Sequence, residues 1–197
     1  MSANSVRALI LGSTSAYRRE LLARLRLPFE AVAPDVDETA RPLEHPAQLA
    51  SRLAMDKARD VAMRHPNSVV IGADQVADLN GLCLGKPGDH GRATAQLRQM
   101  RGQSVIFQTA VAVVCLETGF AQADLAAVVV KFRNFGDDEI ETYLRAETPY
   151  DCAGSAKSEG LGIAMLELID SDDPSALVGL PLIRTCRLLR AAGLKIP

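Results

Sequence analysis

Long apolar runs, paired cysteines and an excess of charge of one sign are all missing from this 197-residue sequence. The four cysteines and three histidines are scattered without a C-x-x-C pair, which argues against a zinc site. The formal net charge of −2 gives no general attraction to nucleic acid or to an anionic membrane. No segment resembles a signal peptide or approaches membrane-spanning length. We therefore expect a cytoplasmic protein with reduced cysteines, in which any site for a polyanion is local.

The composition that remains is typical of a globular protein, with 48% hydrophobic and 23% charged residues. No linker, repeat or low-complexity tract divides the chain, so we expect one domain over residues 1–197. Apolar runs alternate with stretches of helical periodicity, and a long hairpin is expected around the turn at Glu117–Gly119. These patterns predict an α/β fold in which a mixed twisted sheet with flanking helices extends into two lobes.

Periodicity and turn residues define the expected elements. Strands are expected over 8–11, 29–38 (ending in an acidic loop), 68–74, both arms of the hairpin and 162–170. Helices are expected from Tyr17 and over 45–65, 89–100, 137–146 and 180–193. Asn80-Gly81 indicates a tight hairpin turn.

The stretch LILGSTSAYRRELLARL (residues 9–25) places small hydroxyl residues at a strand-to-helix junction. Backbone N–H groups at the start of a helix lack intrahelical partners, and the helix dipole favours an anion there. Arg18 and Arg19 oppose that dipole, and a bound phosphate would resolve the conflict. The alternative is a serine N-cap followed by two solvated arginines.

A second junction follows the apolar run SVVIGAD, which is expected to end at Asp74. In open α/β sheets, ligands bind at the carboxyl ends of central strands. The Ser13–Ser15 junction and the GADQ junction are both expected at such ends, so we expect them to share one cleft.

Acids and cations are interleaved among the residues expected near this cleft. They are Asp37, Glu38, Lys57, Asp74, Lys86, Lys157 and Glu159. Cations neutralise phosphate oxygens, whereas acids hold Mg²⁺ or position water, so the set suits phosphoryl chemistry. Each residue also has a structural alternative: Asp37 and Glu38 as a solvated loop, Lys57 as a surface lysine, and GKP as a simple turn.

An ordered set of motifs resembles the Maf family of nucleotide pyrophosphatases. The motifs are LILGSTSAYRRELLARL, VDE, RLAMDKA, IGADQV, GKP, TAVAV, CAGSAKSEGLG and LVGLPL, and they extend over nearly the whole chain. The resemblance implies a fold with a deep central cleft, related to that of the inosine-triphosphate pyrophosphatases. It also implies hydrolysis of a nucleoside triphosphate to the monophosphate and pyrophosphate with a divalent metal, Mg²⁺ or Mn²⁺.

The resemblance further implies roles for individual residues. The expected catalytic residues are Asp74, as proton acceptor, with Glu38, Lys57 and Lys86. The expected substrate-binding residues are Ser13, Arg18, Tyr17, Gln75, Glu159 and Lys157. The expected metal ligands are Glu38 and Asp74.

Three positions resemble the family branch that acts on 7-methyl-GTP rather than the dTTP/UTP branch. Tyr17, Gln75 and Glu159 stand where that branch has an aromatic residue, Gln and Glu. Methylation at N7 makes guanine cationic, which suits an aromatic face and a carboxylate. Ala16 stands where proline is common in the family, and Tyr17 stands where the branch has tryptophan. Both differences bear on how strongly the substrate binds.

We therefore expect a small-molecule nucleotide as the partner, with neither nucleic acid nor a membrane, and leave a homodimer open. Two alternatives to 7-methyl-GTP hydrolysis remain at this point. One is a regulatory nucleotide-binding protein linked to septum formation, and the other is a dTTP/UTP pyrophosphatase of the sister branch.

Overall fold

The computed structural model of the protein describes residues 7–196 and contains seven strands and five α-helices in that range. The strands are β1 (Leu9–Gly12), β2 (Glu30–Ala31), β3 (Val69–Leu79), β4 (Leu82–Leu84), β5 (Ser104–Cys115), β6 (Phe120–Phe132) and β7 (Leu166–Asp170). The helices are α1 (Ala16–Ala23), α2 (Pro46–Arg64), α3 (His90–Met100), α4 (Asp137–Glu147) and α5 (Leu182–Ala191).

The strands form one mixed sheet in the order β2-β1-β3-β5-β6-β7, with β4 paired to β3. β1 is parallel to β2 and β3, whereas β3, β5, β6 and β7 pair in antiparallel fashion. The predicted mixed α/β fold is confirmed. The predicted turn is confirmed as well, because Asn80 (φ 52°) and Gly81 (φ 89°) both adopt the left-handed conformation that such a hairpin needs.

β3 differs from its expected length in a way that creates the cleft. The expected end at Asp74 is wrong, because β3 continues to Leu79 and pairs with β5 as far as Asp78. Its other neighbour, β1, ends at Gly12 opposite Gly72. Asp74 therefore lies where one side of β3 loses its partner strand, and the strand itself runs on.

The predicted strand over 29–38 is also shorter, since only Glu30–Ala31 pairs with β1. The chain after it lies along α2, where side chains of the helix bind its backbone. Arg64 donates to the carbonyl of Ala33 at 2.8 Å, and Arg52 donates to that of Thr39 at 3.0 Å. Similarly, the start of the predicted strand 162–170 is a 3₁₀ helix (Leu161–Met165), and pairing begins at Leu166.

The buried apolar side chains form three clusters. One surrounds the far end of β3 and includes Phe107, Phe132 and Tyr143; the other two cover opposite faces of the β1 end of the sheet. This division agrees with the expected two lobes. Gly72 lets α2 approach β3 closely, because a Cβ there would overlap the backbone of α2 at Ala54 and Ala58.

The expectation of one domain over 1–197 stays a prediction, and residues 1–6 and 197 lie outside the described part. Within residues 7–196, no helix is long and apolar enough to cross a membrane.

Candidate active site

A cleft of about 630 Å³ opens beside β3 at the point where β1 ends. All the predicted site residues except Asp37 and Lys157 line it: Ser13, Tyr17, Arg18, Glu38, Lys57, Asp74, Gln75, Lys86 and Glu159. They come from β1–α1, the loop before α2, α2, β3, the turn after β4, and the loop after α4. The expectation that the Ser13–Ser15 and Asp74 junctions share a cleft is confirmed.

Lys57 lies between two carboxylates at the centre of this cleft. Its Nζ donates to Oδ1 of Asp74 at 2.7 Å and lies 2.7 Å from Oε1 of Glu38. The side chains of Lys57 and Asp74 are 6% and 9% exposed, whereas that of Glu38 is 61% exposed. The surface-lysine alternative for Lys57 is therefore wrong. A buried ammonium needs such partners, since an unpaired charge there would be costly.

The two carboxylates that share Lys57 differ in their pKa. Burial raises the pKa of Asp74 and outweighs the opposing effects of Lys57 and Arg18. Burial also acts to raise the pKa of Glu38, but hydrogen bonding to Lys57 and the charges of Lys57, Lys86 and Arg18 together lower it. Environments that push two pKa values apart suit one carboxylate to proton transfer and keep the other ionised.

The stretch that the sequence predicts to bind phosphate forms one wall of the cleft. Arg18 Nη1 donates to Ser13 Oγ at 3.4 Å, and Arg18 Nε donates to the carbonyl of Gly179 at 2.9 Å. The capping alternative is also present, because Ser15 Oγ accepts from the backbone N–H of Arg18 at the start of α1. The serine cap and the cleft cation thus coexist, with Ser13 rather than Ser15 facing Arg18.

Lys86 follows β4 on a short turn and is exposed at the mouth of the cleft. The carbonyl of the preceding Gly85 accepts from the backbone N–H of Gly154 at 3.2 Å and from Gln96 at 3.0 Å. These bonds fix the turn against α3 and the loop after α4. The GKP string is therefore a turn that also brings a cation to the cleft.

Gln75 presents one defined end of its amide to the cleft. The two N–H groups of its Nε2 are shared among three acceptors, Thr109 Oγ1 at 2.9 Å and the carbonyls of Ala176 and Leu177, both at 3.0 Å. Backbone carbonyls only accept hydrogen bonds, so the nitrogen must face them. The carbonyl oxygen of Gln75 is then the end available to a bound molecule.

Tyr17 and Glu159 line the same cleft together with two residues that sequence analysis missed, Asp151 and Cys152. Cys152 Sγ lies 3.9 Å from Tyr17 Oη and 3.6 Å from Oδ1 of Asp151. Burial raises the pKa of Cys152 to about 12 and also raises the pKa of Tyr17. Asp151 stands in an exposed turn and has no distinguishing sequence pattern; only the fold brings it opposite α1.

Lys157 does not line the cleft. Its Nζ lies 2.7 Å from Oε2 of Glu147 on α4, and its backbone N–H donates to the Tyr143 hydroxyl at 3.0 Å. This placement does not support the substrate-binding role expected for it. Glu159, two residues further on, is the residue of this loop that reaches the cleft.

Two carboxylates of the cleft, Glu38 and Asp74, lie close enough together to share a metal ion. No group of three His, Cys, Asp and Glu side chains among residues 7–196 could hold a metal by itself. Glu38 and Asp74 lie within 2.7 Å of the same Lys57 Nζ and supply hard oxygen donors. Such a set fits Mg²⁺, which proteins bind through one or two carboxylates together with substrate phosphates and water.

Several proteins of known name are similar to this chain over nearly its whole length. A protein of Albidiferax ferrireducens is 72% identical over 100% of this chain and 98% of its own length. A relative from Polaromonas sp. is 72% identical over 96% of this chain and 87% of its own length. A relative from Aromatoleum aromaticum is 58% identical over 96% of this chain and 97% of its own length. All three carry the name 7-methyl-GTP pyrophosphatase.

A solved HAM1 protein from Coxiella burnetii superimposes with a TM-score of 0.48 at 15% identity, over 66% of this chain and 75% of that one. The family model described as Maf-like protein matches residues 8–192. The chain that builds this cleft belongs to the Maf family.

Proposed function

We propose that this protein hydrolyses 7-methyl-GTP to 7-methyl-GMP and pyrophosphate, as a house-cleaning activity against modified nucleotides. The observation that supports the proposal is that two chemically different groups of residues line one cleft. We place the triphosphate beside the Asp74–Lys57–Glu38 cluster and Arg18, as the first end, and the base beside Tyr17 and Glu159, as the second end. The names of the relatives support the same substrate.

At the first end, the chain supplies cations to a triphosphate. Arg18 is fixed by the carbonyl of Gly179, so its guanidinium is ordered before substrate arrives. Lys57 and Lys86 approach from α2 and from the turn after β4. Preorganised cations of this kind stabilise charge that develops on a leaving pyrophosphate.

Asp74 is the residue we assign to the attacking water. Lys57 binds its Oδ1, which leaves Oδ2 to receive a proton. The oxygen of the water bonds to the α-phosphorus while the bond from that phosphorus to the bridging oxygen breaks. Pyrophosphate leaves with the bridging oxygen, and the proton of the water passes to Asp74.

Glu38 and Asp74 would hold the divalent ion, Mg²⁺ or Mn²⁺, together with phosphate oxygens of the substrate. When bound, the ion supplies positive charge beside the phosphates. The lowered pKa of Glu38 keeps this carboxylate ionised for that purpose.

The second end is assigned to the base. The carbonyl of Gln75 accepts from an N–H of guanine, and the carboxylate of Glu159 faces the cationic methylated ring. The Tyr17 ring is uncharged at neutral pH and attracts the same positive charge through its π face. A free nucleotide in the cytoplasm is the proposed substrate, and neither nucleic acid nor a membrane is needed.

A substrate panel tests the proposal. Purified protein with Mg²⁺ or Mn²⁺ is assayed against 7-methyl-GTP, GTP, dTTP and UTP, and pyrophosphate and orthophosphate are scored separately. We expect pyrophosphate only, the highest kcat/KM for 7-methyl-GTP, and no activity in EDTA. A higher kcat/KM for dTTP or UTP would indicate a dTTP/UTP pyrophosphatase instead. Tight nucleotide binding without turnover would indicate a regulatory nucleotide-binding protein.

A further inference from the structure

Lys157 and its surroundings point to a role for α4 that the catalytic assignments leave out. The segment 155–162 lies between the cleft and α4: Ala156 and Glu159 line the cleft, whereas Lys157 and Leu161 bind a side chain of α4. Two side chains of α4, one helical turn apart, bind this segment.

Tyr143 is the first of these side chains and holds the start of the segment. It is almost fully buried, and its hydroxyl donates to the carbonyl of Ser155 at 2.9 Å and accepts from the backbone N–H of Lys157 at 3.0 Å. Because the hydroxyl uses both its donor and an acceptor site, it fixes the chain on both sides of Ala156.

Glu147 is the second side chain and holds both ends of the tip. Its Oε2 lies 2.7 Å from Lys157 Nζ, and its Oε1 accepts from the backbone N–H of Leu161 at 2.5 Å. The side chains of Glu147 and Lys157 are only 17% and 26% exposed. One carboxylate thus fixes the residue two positions before Glu159 and the residue two positions after it.

Two glycines in the segment are required by this close packing. A Cβ at Gly160 would overlap the carboxylate of Glu147, and a Cβ at Gly162 would overlap the backbone of Lys157. Hydrogen bonding from Leu161 and Lys157 lowers the pKa of Glu147, so the carboxylate stays ionised at neutral pH.

We propose that Glu147 is a positioning residue for substrate selection: together with Lys157, it fixes the segment 155–162 so that Glu159 faces the base end of the cleft. This inference rests on the proposed function, because the readout is selection of the methylated base. Lys157 then acts on the substrate through Glu147 and Glu159, without touching it.

The test compares Glu147→Ala and Gly160→Ala with the wild type and with a control, Glu167→Ala. Glu167 pairs with Lys131 at 2.9 Å between β7 and β6, is similarly charged, and does not contact the segment. The first readout is hydrogen exchange of the backbone amides in 155–162. The second is the ratio of kcat/KM for 7-methyl-GTP to that for GTP, measured also in a Glu159→Gln background.

We expect both variants to speed exchange in 155–162 and to lower the preference for 7-methyl-GTP about two- to fivefold, the scale of a single ion pair near the surface. In the Glu159→Gln background they should cause little further loss, because the two residues act through one contact. The control should change neither readout.

Unchanged exchange, an unchanged preference, or a loss that adds to that of Glu159→Gln would each overturn the positioning role. A wild type without any preference for 7-methyl-GTP would instead overturn the proposed function and the selectivity argument with it. The exchange measurement would still report whether Glu147 fixes the segment, so the two failures are distinguishable.

Discussion

The amide nitrogen of Gln75 donates to the hydroxyl of Thr109 at 2.9 Å, across paired strands where the two residues lie directly opposite each other. Thr109 in turn donates to the carbonyl of Ala176, which also accepts from Gln75. Because these contacts use the amide nitrogen of Gln75, its carbonyl oxygen, which is a hydrogen-bond acceptor, is the end left for the cleft.

The first prediction tests that orientation. Gln75→Glu places a carboxylate against the carbonyls of Ala176 and Leu177, which have no proton to donate, so the free energy of unfolding should fall by about 1–3 kcal/mol. Thr109→Val, which removes only the hydroxyl, should cost about 1 kcal/mol. Urea unfolding at pH 7 measures both. A Gln75→Glu variant as stable as wild type would mean that the amide faces the other way.

Asp74→Asn tests the assignment of the proton acceptor. The amide keeps the size of the side chain but cannot accept the proton of the attacking water, so kcat should fall on the order of 10²-fold or more. Nucleotide affinity, measured by calorimetry with a non-hydrolysable analogue, should persist because Arg18 and Lys86 remain. Near-normal turnover would move the role away from Asp74.

The loop that carries Glu38 gives a pH-dependent prediction. Hydrogen bonds from Arg52 and from the backbone of Arg41 hold the pKa of Glu44 at about 2, below its ordinary 4.5. A depressed pKa contributes stability above the unfolded value and loses that contribution as the pH falls through the folded value. The free energy of unfolding of wild type minus that of Glu44→Gln should therefore be constant at neutral pH and decline from about pH 4.5 towards pH 2.

Urea unfolding across that range measures the difference. Glu20→Gln is the control, since Glu20 on α1 meets Arg24 only at 3.8 Å and both are exposed. If the Glu44 difference stayed constant down to pH 2, its ion pair with Arg52 would not stabilise the fold.

Tyr17→Ala tests the aromatic contact with the base. Loss of a cation–π contact removes roughly 0.5–2 kcal/mol, and only the methylated base carries the positive charge. The kcat/KM for 7-methyl-GTP should therefore fall more than that for GTP. Tyr17→Phe serves as the matched variant and should keep most of the preference, because the ring remains. An equal loss for both nucleotides would show that the Tyr17 ring makes no contact that distinguishes the charged base.

Most of the cleft residues could be predicted from the sequence, because polar and charged residues follow apolar strands there. Ser13 at a strand end and Asp74 after an apolar run lie together because parallel β1 and β3 bring Gly12 opposite Gly72. The end of β3 could not be predicted, since the apolar pattern cannot show that β1 stops first and uncovers the strand beside it. The sequence also could not show that Lys157 pairs with Glu147 outside the cleft, because Glu147 lies on a different element.

The central claim has two parts, the bond that is broken and the base that is preferred, and one measurement tests both. An equimolar mixture of 7-methyl-GTP and GTP is hydrolysed with Mg²⁺ in oxygen-18 water, and the products are followed by mass spectrometry. The account predicts that 7-methyl-GMP forms first, carries the label on its phosphate, and is accompanied by unlabelled pyrophosphate. Label in pyrophosphate or orthophosphate, or GMP formed as fast as 7-methyl-GMP, would contradict it.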